Sequence, residues 1–274
     1  MNYNTDKTIN IDGCPIRYRE AGKGRLIFLV HGIAGFLEEW EPAMKILSEK
    51  YRVIALDLPG HGLSGKPDIA YSIDKMTDYL KNFILSFTSE KINLVGHSLG
   101  GSICLNLVIR HPDIVERLVI INSVFETVPL YIRLGSPSFI QHMIKRVPFF
   151  IIKLMSKRSI HKKSRITPEW ESLSYTYINT PGNIRTMFSI IRSNISVKGL
   201  NNRLLDSFRS GLKQISIPVL ILFSENDKVV PVSNSHQLSR LIRMSEIIGF
   251  KNCGHELQYE DYKEFCREVE AFIQ

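Results

Sequence analysis

The feature that most constrains this fold is a series of short, continuous apolar segments separated by helical patterns. Segments rich in Ile, Val and Leu are typical of strands buried on both faces of a parallel sheet. Helical spacing at 71–87 and 99–110 separates some of them, and a further helical pattern at 260–273 follows the last. Strands that alternate with helices predict right-handed β-α-β units and a mostly parallel sheet. The segments are LIFLV (26–30), RVIAL (52–56), INLV (92–95), RLVII (117–121), VLILF (219–223) and EIIGF (246–250).

This pattern is preceded by a hairpin and interrupted once. Alternating apolar residues around Asp12-Gly13 predict a β-hairpin within 7–22. From about 125 to 213 no clean strand pattern is present, and prolines separate the helical stretches. A connection of that length is not a plain loop in a compact domain, so it predicts a helical insertion. We therefore expect a core domain from residues 1–124 and 214–274, with a helical domain inserted at 125–213.

Composition narrows the class of protein. The chain has 274 residues, of which 44% are hydrophobic and 23% charged, as in ordinary globular proteins. The N-terminal residues are polar, and no apolar stretch approaches the roughly 18 residues that suggest a membrane span. The four cysteines lack the spacing of a disulfide framework or a zinc site. We therefore expect a cytoplasmic protein with free thiols, no metal and no stable membrane insertion.

One pentapeptide carries a chemical signal. Gly96-His97-Ser98-Leu99-Gly100 follows the segment INLV and opens the helical pattern at 99–110. At a sharp strand-to-helix turn, bulky side chains two residues before and after a nucleophile would collide with neighbouring elements, so glycines are needed there. The stretch matches neither a Walker-type loop nor a dinucleotide fingerprint. Ser98 is therefore the candidate nucleophile, at the carboxyl end of a strand, where open parallel sheets bind ligands.

A candidate base and a candidate acid lie in two later loops. A serine hydroxyl needs a base to take its proton, and the base needs an acid that orients it. In this architecture the acid and the histidine follow the serine along the chain. Asp227 lies in the loop after VLILF, and His255 lies in the loop after EIIGF. Glu225 is an alternative acid, but the turn after Asp227 is expected to direct Asp227 towards the histidine. We predict a triad of Ser98, Asp227 and His255.

Two backbone N–H groups are candidates for binding an oxyanion. The N–H of Leu99 follows Ser98 at a helix N-terminus, where the helix dipole favours negative charge. A second donor is expected from the loop after the segment LIFLV, where His31-Gly32 is followed by Ile33. We therefore predict that the N–H groups of Ile33 and Leu99 form an oxyanion hole.

Taken together, these motifs resemble the α/β-hydrolase superfamily, over nearly the whole chain and in the expected order. The resemblance implies an α/β fold with a mostly parallel eight-stranded sheet flanked by helices and a helical cap inserted after the sixth strand. It is strongest towards carboxylesterases, ring-cleavage-product hydrolases and cofactor-free haloperoxidases. The motifs are HGIAGF (31–36), DLPGHGLSGKP (57–67), GHSLGG (96–101), SENDKVVP (224–231) and NCGHE (252–256).

The resemblance implies a serine hydrolase that needs no cofactor. Haloalkane dehalogenases and epoxide hydrolases of this fold have an aspartate where this chain has Ser98, which argues against both. Dedicated carbon–carbon hydrolases often have Asn in place of His97, which weakens that alternative. We therefore expect a carboxylesterase that acts on small to medium acyl esters as its small-molecule substrates, through an acyl-enzyme intermediate. The alternatives are a carbon–carbon hydrolase of ring-cleavage products and, in another class, a non-enzymatic ligand receptor.

The basic charge of the chain is concentrated in the expected cap. The net charge is +8, and the segment from Thr127 to Pro168 contains nine Lys or Arg and no Asp or Glu. Without a recognised binding motif, nucleic acid is not an expected partner. The segment admits three interpretations: a solvated surface, a rim that attracts anionic substrates, or attachment to an anionic membrane surface. Its apolar side chains are expected to close over Ser98 and to bind substrate. The candidates are Phe139, Met143, Phe149 and Phe150.

Overall fold

The main sheet has eight strands in the order β1-β2-β4-β3-β5-β6-β9-β10 in the computed structural model, which describes residues 5–134 and 144–274. The strands from β4 to β10 in this order are parallel, and β2 is antiparallel to both of its neighbours. The predicted eight-stranded, mostly parallel sheet is therefore confirmed. The strands are β1 (Lys7–Ile11), β2 (Cys14–Ala21), β3 (Leu26–Val30), β4 (Arg52–Leu56), β5 (Ile92–His97), β6 (Val115–Ile121), β9 (Val219–Ser224) and β10 (Ser245–Phe250).

Helices cover both faces of this sheet. None of those in the described ranges is long and apolar enough to cross a bilayer. The predicted helix at 99–110 begins and ends at those residues. The helices are α1 (Glu41–Leu47), α2 (Ile73–Leu85), α3 (Leu99–Arg110), α4 (Leu130–Arg133), α5 (Phe149–Ser159), α6 (Pro168–Ile178), α7 (Asn183–Asn194), α8 (Asn202–Leu212), α9 (Ser233–Leu241), α10 (Leu257–Glu260) and α11 (Tyr262–Ile273).

Two hydrophobic cores, one on each face, fix the sheet between its helices. On one face α2 and α3 bury residues such as Phe83 and Ile103 against the strands. On the other face α1 and α11 bury Leu47 and Phe265, together with Trp40. Each fully buried side chain of this size stabilises the fold by roughly 1.5–3 kcal/mol relative to exposure. Because strands are covered on both faces, their segments are continuously apolar rather than alternating.

The helical insertion follows β6, the sixth strand, as the resemblance implied. It contains α4 to α7 and a two-stranded hairpin of β7 (Ile195–Ser196) and β8 (Gly199–Leu200). The expectation that 125–213 holds no strand is corrected by this hairpin, whose strands are too short to leave a periodic pattern. The helix α8 buries Phe208 and Leu212 in the same core as α3. We therefore propose that the cap ends before Asn202, earlier than residue 213.

Polar contacts tie the cap to the core at two places. Tyr177 of α6 donates a hydrogen bond of 2.8 Å to Glu38, whose carboxylate also pairs with Arg17 of β2. Asn194, at the end of α7, accepts a hydrogen bond of 2.8 Å from the N–H of Ile73, the first residue of α2. These groups are buried or partly buried, where an unpaired partner would cost about 1–3 kcal/mol. The cap is therefore held to the core by contacts that are costly to break.

Candidate active site

Ser98 occupies a strained turn between β5 and α3. Its φ is 52° and its ψ is −117°, a conformation that costs a non-glycine residue on the order of 1–3 kcal/mol. The Ser98 N–H donates a 2.8 Å hydrogen bond to the carbonyl of Ile121. A Cβ at Gly96 would lie 2.7 Å from the Gly100 carbonyl oxygen and from the Cys104 sulfur. Glycine at this position therefore lets the strand and helix approach closely enough to project Ser98 from the turn.

His255 and Asp227 are brought together by the loops after β10 and β9. The two atoms His255 Nδ1 and Asp227 Oδ2 are 2.7 Å apart, and both side chains are almost fully buried. The other carboxylate oxygen of Asp227 accepts the N–H groups of Val229 at 2.7 Å and Val230 at 2.9 Å. Glu225 is exposed, and its described contacts do not include His255. The turn after Asp227 thus holds its carboxylate next to His255.

The pKa of His255 is raised above its ordinary value. Burial acts to lower this pKa, but the charge and hydrogen bond of the Asp227 carboxylate outweigh it, and the nearby Glu256 acts in the same direction. The carboxylate fixes the proton on Nδ1, so the unprotonated Nε2 can accept a proton from another group. His255 is therefore arranged as a base whose positively charged form is stabilised.

The backbone of His255 is held by two polar side chains from neighbouring strands. Its carbonyl oxygen lies 2.9 Å from Nε2 of His97 and accepts a 2.8 Å hydrogen bond from Asn122. Asn122 also accepts the N–H of Ser224 at 2.9 Å, which joins the ends of β6 and β9. The sequence analysis did not single out Asn122. The sequence feature that could have identified it is a polar residue directly after the apolar segment RLVII, at the carboxyl end of a predicted strand.

Two buried carboxyl groups lie beside the histidines and line the same cavity. Burial and the neighbouring Glu256 raise the pKa of Glu39 well above its ordinary value. Burial also raises the pKa of Glu256 to about 7, despite the opposing effect of His255. The nearest oxygen of Glu256 is 3.7 Å from Nδ1 of His97. Burial lowers the pKa of His97 well below its ordinary value, so His97 is neutral and this contact is not an ion pair.

Within the described residues, the group that most resembles a set of metal ligands consists of His97, His255 and Glu256. Ligand atoms of His97, His255 and Glu256 lie within 4.8 Å of one another. One nitrogen of His255 is bonded to Asp227, and one nitrogen of His97 faces the His255 carbonyl. Both histidines thus have other partners in this structure, and the cluster by itself does not indicate a metal site.

A cavity of about 410 Å³ lies between the cap and the carboxyl ends of the strands. Ser98 and His255 line its floor together with Ile33 and Leu99. A Cβ at Gly32 would lie 2.9 Å from that of Ser98, so the loop carrying Ile33 passes directly beside the serine. Both predicted oxyanion donors therefore belong to segments that border Ser98. The cap contributes mainly apolar side chains, including Ile152, Phe188, Ile190 and Ile191.

The predicted aromatic residues of the cap do not line this cavity where the structure describes them. Phe149 is 41% exposed and Phe150 68% exposed, so the expectation that they bind substrate is wrong. In the helix α5 it is Ile152 that faces the cavity. The sequence did not predict this, because apolar residues occur around the whole circumference of the helix and do not define one buried side. Phe139 and Met143 lie outside the described residues.

The cap also contacts the histidine loop directly. The His255 N–H donates a hydrogen bond of 2.6 Å to the carbonyl of Ser159, the last residue of α5. One oxygen of Glu260 accepts the Gly254 N–H at 2.7 Å. Its other oxygen accepts the N–H groups of His161 and Lys162 at 2.8 Å and 2.7 Å. This Glu260 clamp joins the cap to the loop that carries His255. The sequence analysis missed it because its two partners in the cap, His161 and Lys162, lie 99 and 98 residues away.

The chain belongs to the α/β-hydrolase family, since the family model described as alpha/beta hydrolase fold matches residues 25–262. It is similar to 2-hydroxy-6-oxo-6-(2'-aminophenyl)hexa-2,4-dienoic acid hydrolase of Metapseudomonas resinovorans, with 27% identity over 98% of this chain and 90% of that protein. It is also similar to 2-hydroxy-6-oxo-2,4-heptadienoate hydrolase of Pseudomonas putida F1, with 27% identity over 100% of this chain and 98% of that protein.

A solved structure of another ring-cleavage hydrolase has a similar fold. The meta-cleavage product hydrolase from Pseudomonas fluorescens IP01 superposes with a TM-score of 0.81 and 25% sequence identity. The match covers 97% of this chain and 96% of that chain. The named relatives described here are ring-cleavage hydrolases rather than carboxylesterases, so the expected carboxylesterase activity is not confirmed.

We predict that nuclear magnetic resonance titration of the His255 imidazole will give a pKa above the ordinary value in the native protein. In Asp227→Asn the pKa should fall, because the neutral amide no longer stabilises the imidazolium. In Glu256→Gln it should fall by less. Glu225→Gln is the matched control and should leave the titration unchanged. A larger shift in Glu225→Gln than in Asp227→Asn would contradict the assignment of the acid.

We also predict that Glu260→Gln will loosen the clamp. A glutamine has one acceptor oxygen, so its NH₂ group must face at least one N–H donor that the carboxylate accepted. The free energy of unfolding should fall by about 1–3 kcal/mol in chemical denaturation. Hydrogen exchange should quicken at Gly254, His161 and Lys162. Glu264→Gln, on the exposed side of α11, is the control, and an equal loss of stability there would count against the clamp.

Proposed function

We propose that the protein is a serine hydrolase that cleaves a carbon–carbon bond in a 2-hydroxy-6-oxo-dienoate of the ring-cleavage type. The observation that carries the proposal is the similarity, along almost the full chain, to two hydrolases named for such dienoates. His255, which is paired with Asp227, lines one cavity with Ser98, and this arrangement supports a nucleophilic mechanism. This proposal replaces the ester hydrolase that the sequence alone favoured.

In the proposed mechanism, Ser98 Oγ attacks the ketone carbon C6 while its proton passes to Nε2 of His255. Asp227 stabilises the imidazolium that forms. The developing oxyanion accepts hydrogen bonds from the N–H groups of Ile33 and Leu99, each worth on the order of 100-fold to 1,000-fold in rate. Since the base must be neutral, kcat/KM should fall as the pH drops through the raised pKa of His255.

The carbon leaving group departs when the bond between C5 and C6 breaks. In the keto form of the substrate C2 is a carbonyl and C5 carries two hydrogens, so the electron pair is delocalised onto the C2 oxygen as a dienolate. This oxygen takes up the proton that His255 received from Ser98, which gives the shorter 2-hydroxydienoate. The acyl group stays on Ser98 as an ester. Water, deprotonated by His255, then adds to this ester and releases a carboxylic acid and the free serine. Atoms balance as one dienoate and one water to one carboxylic acid and one shorter dienoate.

The cavity supports a substrate that is mainly apolar with one anionic end. Its walls are mostly aliphatic and aromatic, and Arg158 lines it where α5 reaches the surface. A guanidinium at that place is suited to a carboxylate. On the floor, a second anionic group would meet Glu39 and Glu256, which disfavour it even when they share a proton. The expected substrate is thus a monocarboxylate.

Ester hydrolysis is the second candidate function. The observation that favours it is His97, which stands where dedicated carbon–carbon hydrolases of the family often have Asn. The same nucleophile, base and oxyanion hole would serve both reactions, which differ only in the leaving group. A comparison of substrates that share their acyl group therefore separates the two functions.

We predict that Ser98→Ala will abolish turnover without unfolding the protein. Loss of a triad nucleophile lowers kcat by a factor of about a million in a well-studied serine protease. The melting temperature should not decrease, because the substitution removes only the hydroxyl oxygen and leaves the strained backbone at this position as it is. A fluorophosphonate should label the native protein once, as measured by intact-mass spectrometry. Labelling of the Ala variant would show that another residue is the nucleophile, and no labelling of the native protein would favour the ligand receptor.

We predict that 2-hydroxy-6-oxo-2,4-heptadienoate is hydrolysed with a larger kcat/KM than p-nitrophenyl acetate. Both substrates leave an acetyl group on Ser98, so deacylation is the same and the ratio of kcat/KM values reports on the leaving group. Loss of absorbance by the conjugated dienoate and release of p-nitrophenolate measure the two rates. Because p-nitrophenolate is intrinsically the better leaving group, a preference for the dienoate requires selection by the site. The opposite preference would establish the ester hydrolase.

A further inference from the structure

The helix α5 presents an exposed face that is both apolar and basic. Phe150 is 68% exposed and Leu154 63% exposed, and Lys153 and Lys157 lie on the same side of the helix. The opposite side buries Ile152 and Ser156. Soluble proteins expose single apolar residues routinely, but adjacent exposed Phe and Leu on one helical face indicate an interaction surface.

This face continues onto α4. Tyr131 of α4 is 47% exposed, and its ring centroid is 4.7 Å from the guanidinium carbon of Arg158 of α5. Twelve large apolar residues are exposed in the described chain, and eight of them fall between Leu130 and Met155. We call the following described residues the docking face: Leu130, Tyr131, Arg133, Phe149, Phe150, Lys153, Leu154, Met155, Lys157 and Arg158.

The docking face carries positive charge that carboxylates do not neutralise. The sequence from 127 to 168 contains no Asp or Glu. Among described residues, no carboxylate lies within 4.0 Å of Arg133, Lys153, Lys157 or Arg158. A partner for this surface must therefore supply negative charge as well as apolar contact.

The docking face borders the opening of the cavity. Tyr131 and Met155, which is 44% exposed, line the cavity and also reach solvent. Arg158 also lines the cavity and is exposed to solvent. Whatever binds this face therefore lies at the entrance through which small molecules reach Ser98.

We propose that the docking face attaches the protein peripherally to a bilayer that contains anionic phospholipid. Such a surface offers negative headgroups to the lysines and an acyl region to Phe150 and Leu154. A second copy of the chain does not fit, because a two-fold contact would place this acid-free basic surface against itself. The attachment places the cavity opening at the membrane surface. It does not rest on the proposed reaction.

The test is flotation of the full-length protein with vesicles of phosphatidylcholine alone or of phosphatidylcholine with 30% phosphatidylserine. We expect binding to the anionic vesicles only, and weaker binding in 0.5 M NaCl, since salt screens the headgroup attraction. Replacing Lys153 and Lys157 by Gln should lower the partition coefficient about tenfold or more, as each basic residue near an anionic surface contributes about fivefold. Phe150→Ser with Leu154→Ser should lower it at least about tenfold.

The controls separate docking from folding and catalysis. Leu85→Ser with Lys91→Gln changes an exposed leucine and an exposed lysine elsewhere and should bind like the native protein. Phe150, Leu154, Lys153 and Lys157 do not line the cavity, so hydrolysis of a small water-soluble ester should be unchanged in all variants. Absence of binding to anionic vesicles, or binding that the control variant loses equally, would overturn the proposal.

Two further outcomes would identify a different occupant and overturn it as well. One is sedimentation that shows a dimer which Phe150→Ser with Leu154→Ser disrupts, since the face would then be a self-association surface. The other is tighter binding to a 20-base-pair DNA duplex than to anionic vesicles, if replacing Lys153 and Lys157 by Gln weakens the binding to DNA as well. Membrane attachment is supported only if vesicle binding depends on both the lysines and the apolar pair.

Discussion

The site depends on close packing between the first turn of α3 and the carboxyl end of β3. Gly100 makes this contact possible, because a Cβ there would collide with the carbonyl oxygens of Val30 and His31. Backbone atoms cannot rotate away as a side chain can, so the approach of helix and strand is fixed. Ser98 is held at positive φ within the same packing, and the loop that follows His31 carries Ile33 to its side. One backbone contact therefore sets the positions of the candidate nucleophile and both predicted oxyanion donors.

The parts of the fold that sequence could predict are those with local signals. Six apolar segments each became a strand, because burial on both faces requires an uninterrupted apolar run. Asp227 and His255 were predictable as a pair, since parallel strands place their carboxyl ends at one edge of the sheet. The choice of Asp227 over Glu225 followed from turn chemistry, and Val229 and Val230 supply the N–H groups that orient it.

Features that depend on distant partners could not be predicted in this way. The sequence FFIIKLMSKRS of α5 is apolar on several sides, so only tertiary packing decides that Ile152 faces the cavity and Phe150 faces solvent. The same is true of Glu260 and Asn122, whose polar side chains are explained by backbone groups that lie far away in the sequence. Substrate choice also lies beyond local patterns, because the predicted triad would serve both ester and carbon–carbon hydrolysis.

The connections between cap and core determine how molecules exchange with the cavity. Tyr177 is bonded to Glu38, Asn194 to the start of α2, and Glu260 to the turn after α5, so the cap is fastened on three sides. Lifting it as a rigid lid would break all three sets of buried bonds together. Tyr131 and Met155 line the cavity and are also exposed, and exposed side chains rotate in picoseconds to nanoseconds. The contacts between cap and core therefore favour exchange by side-chain rotation at the cavity rim over movement of the whole cap.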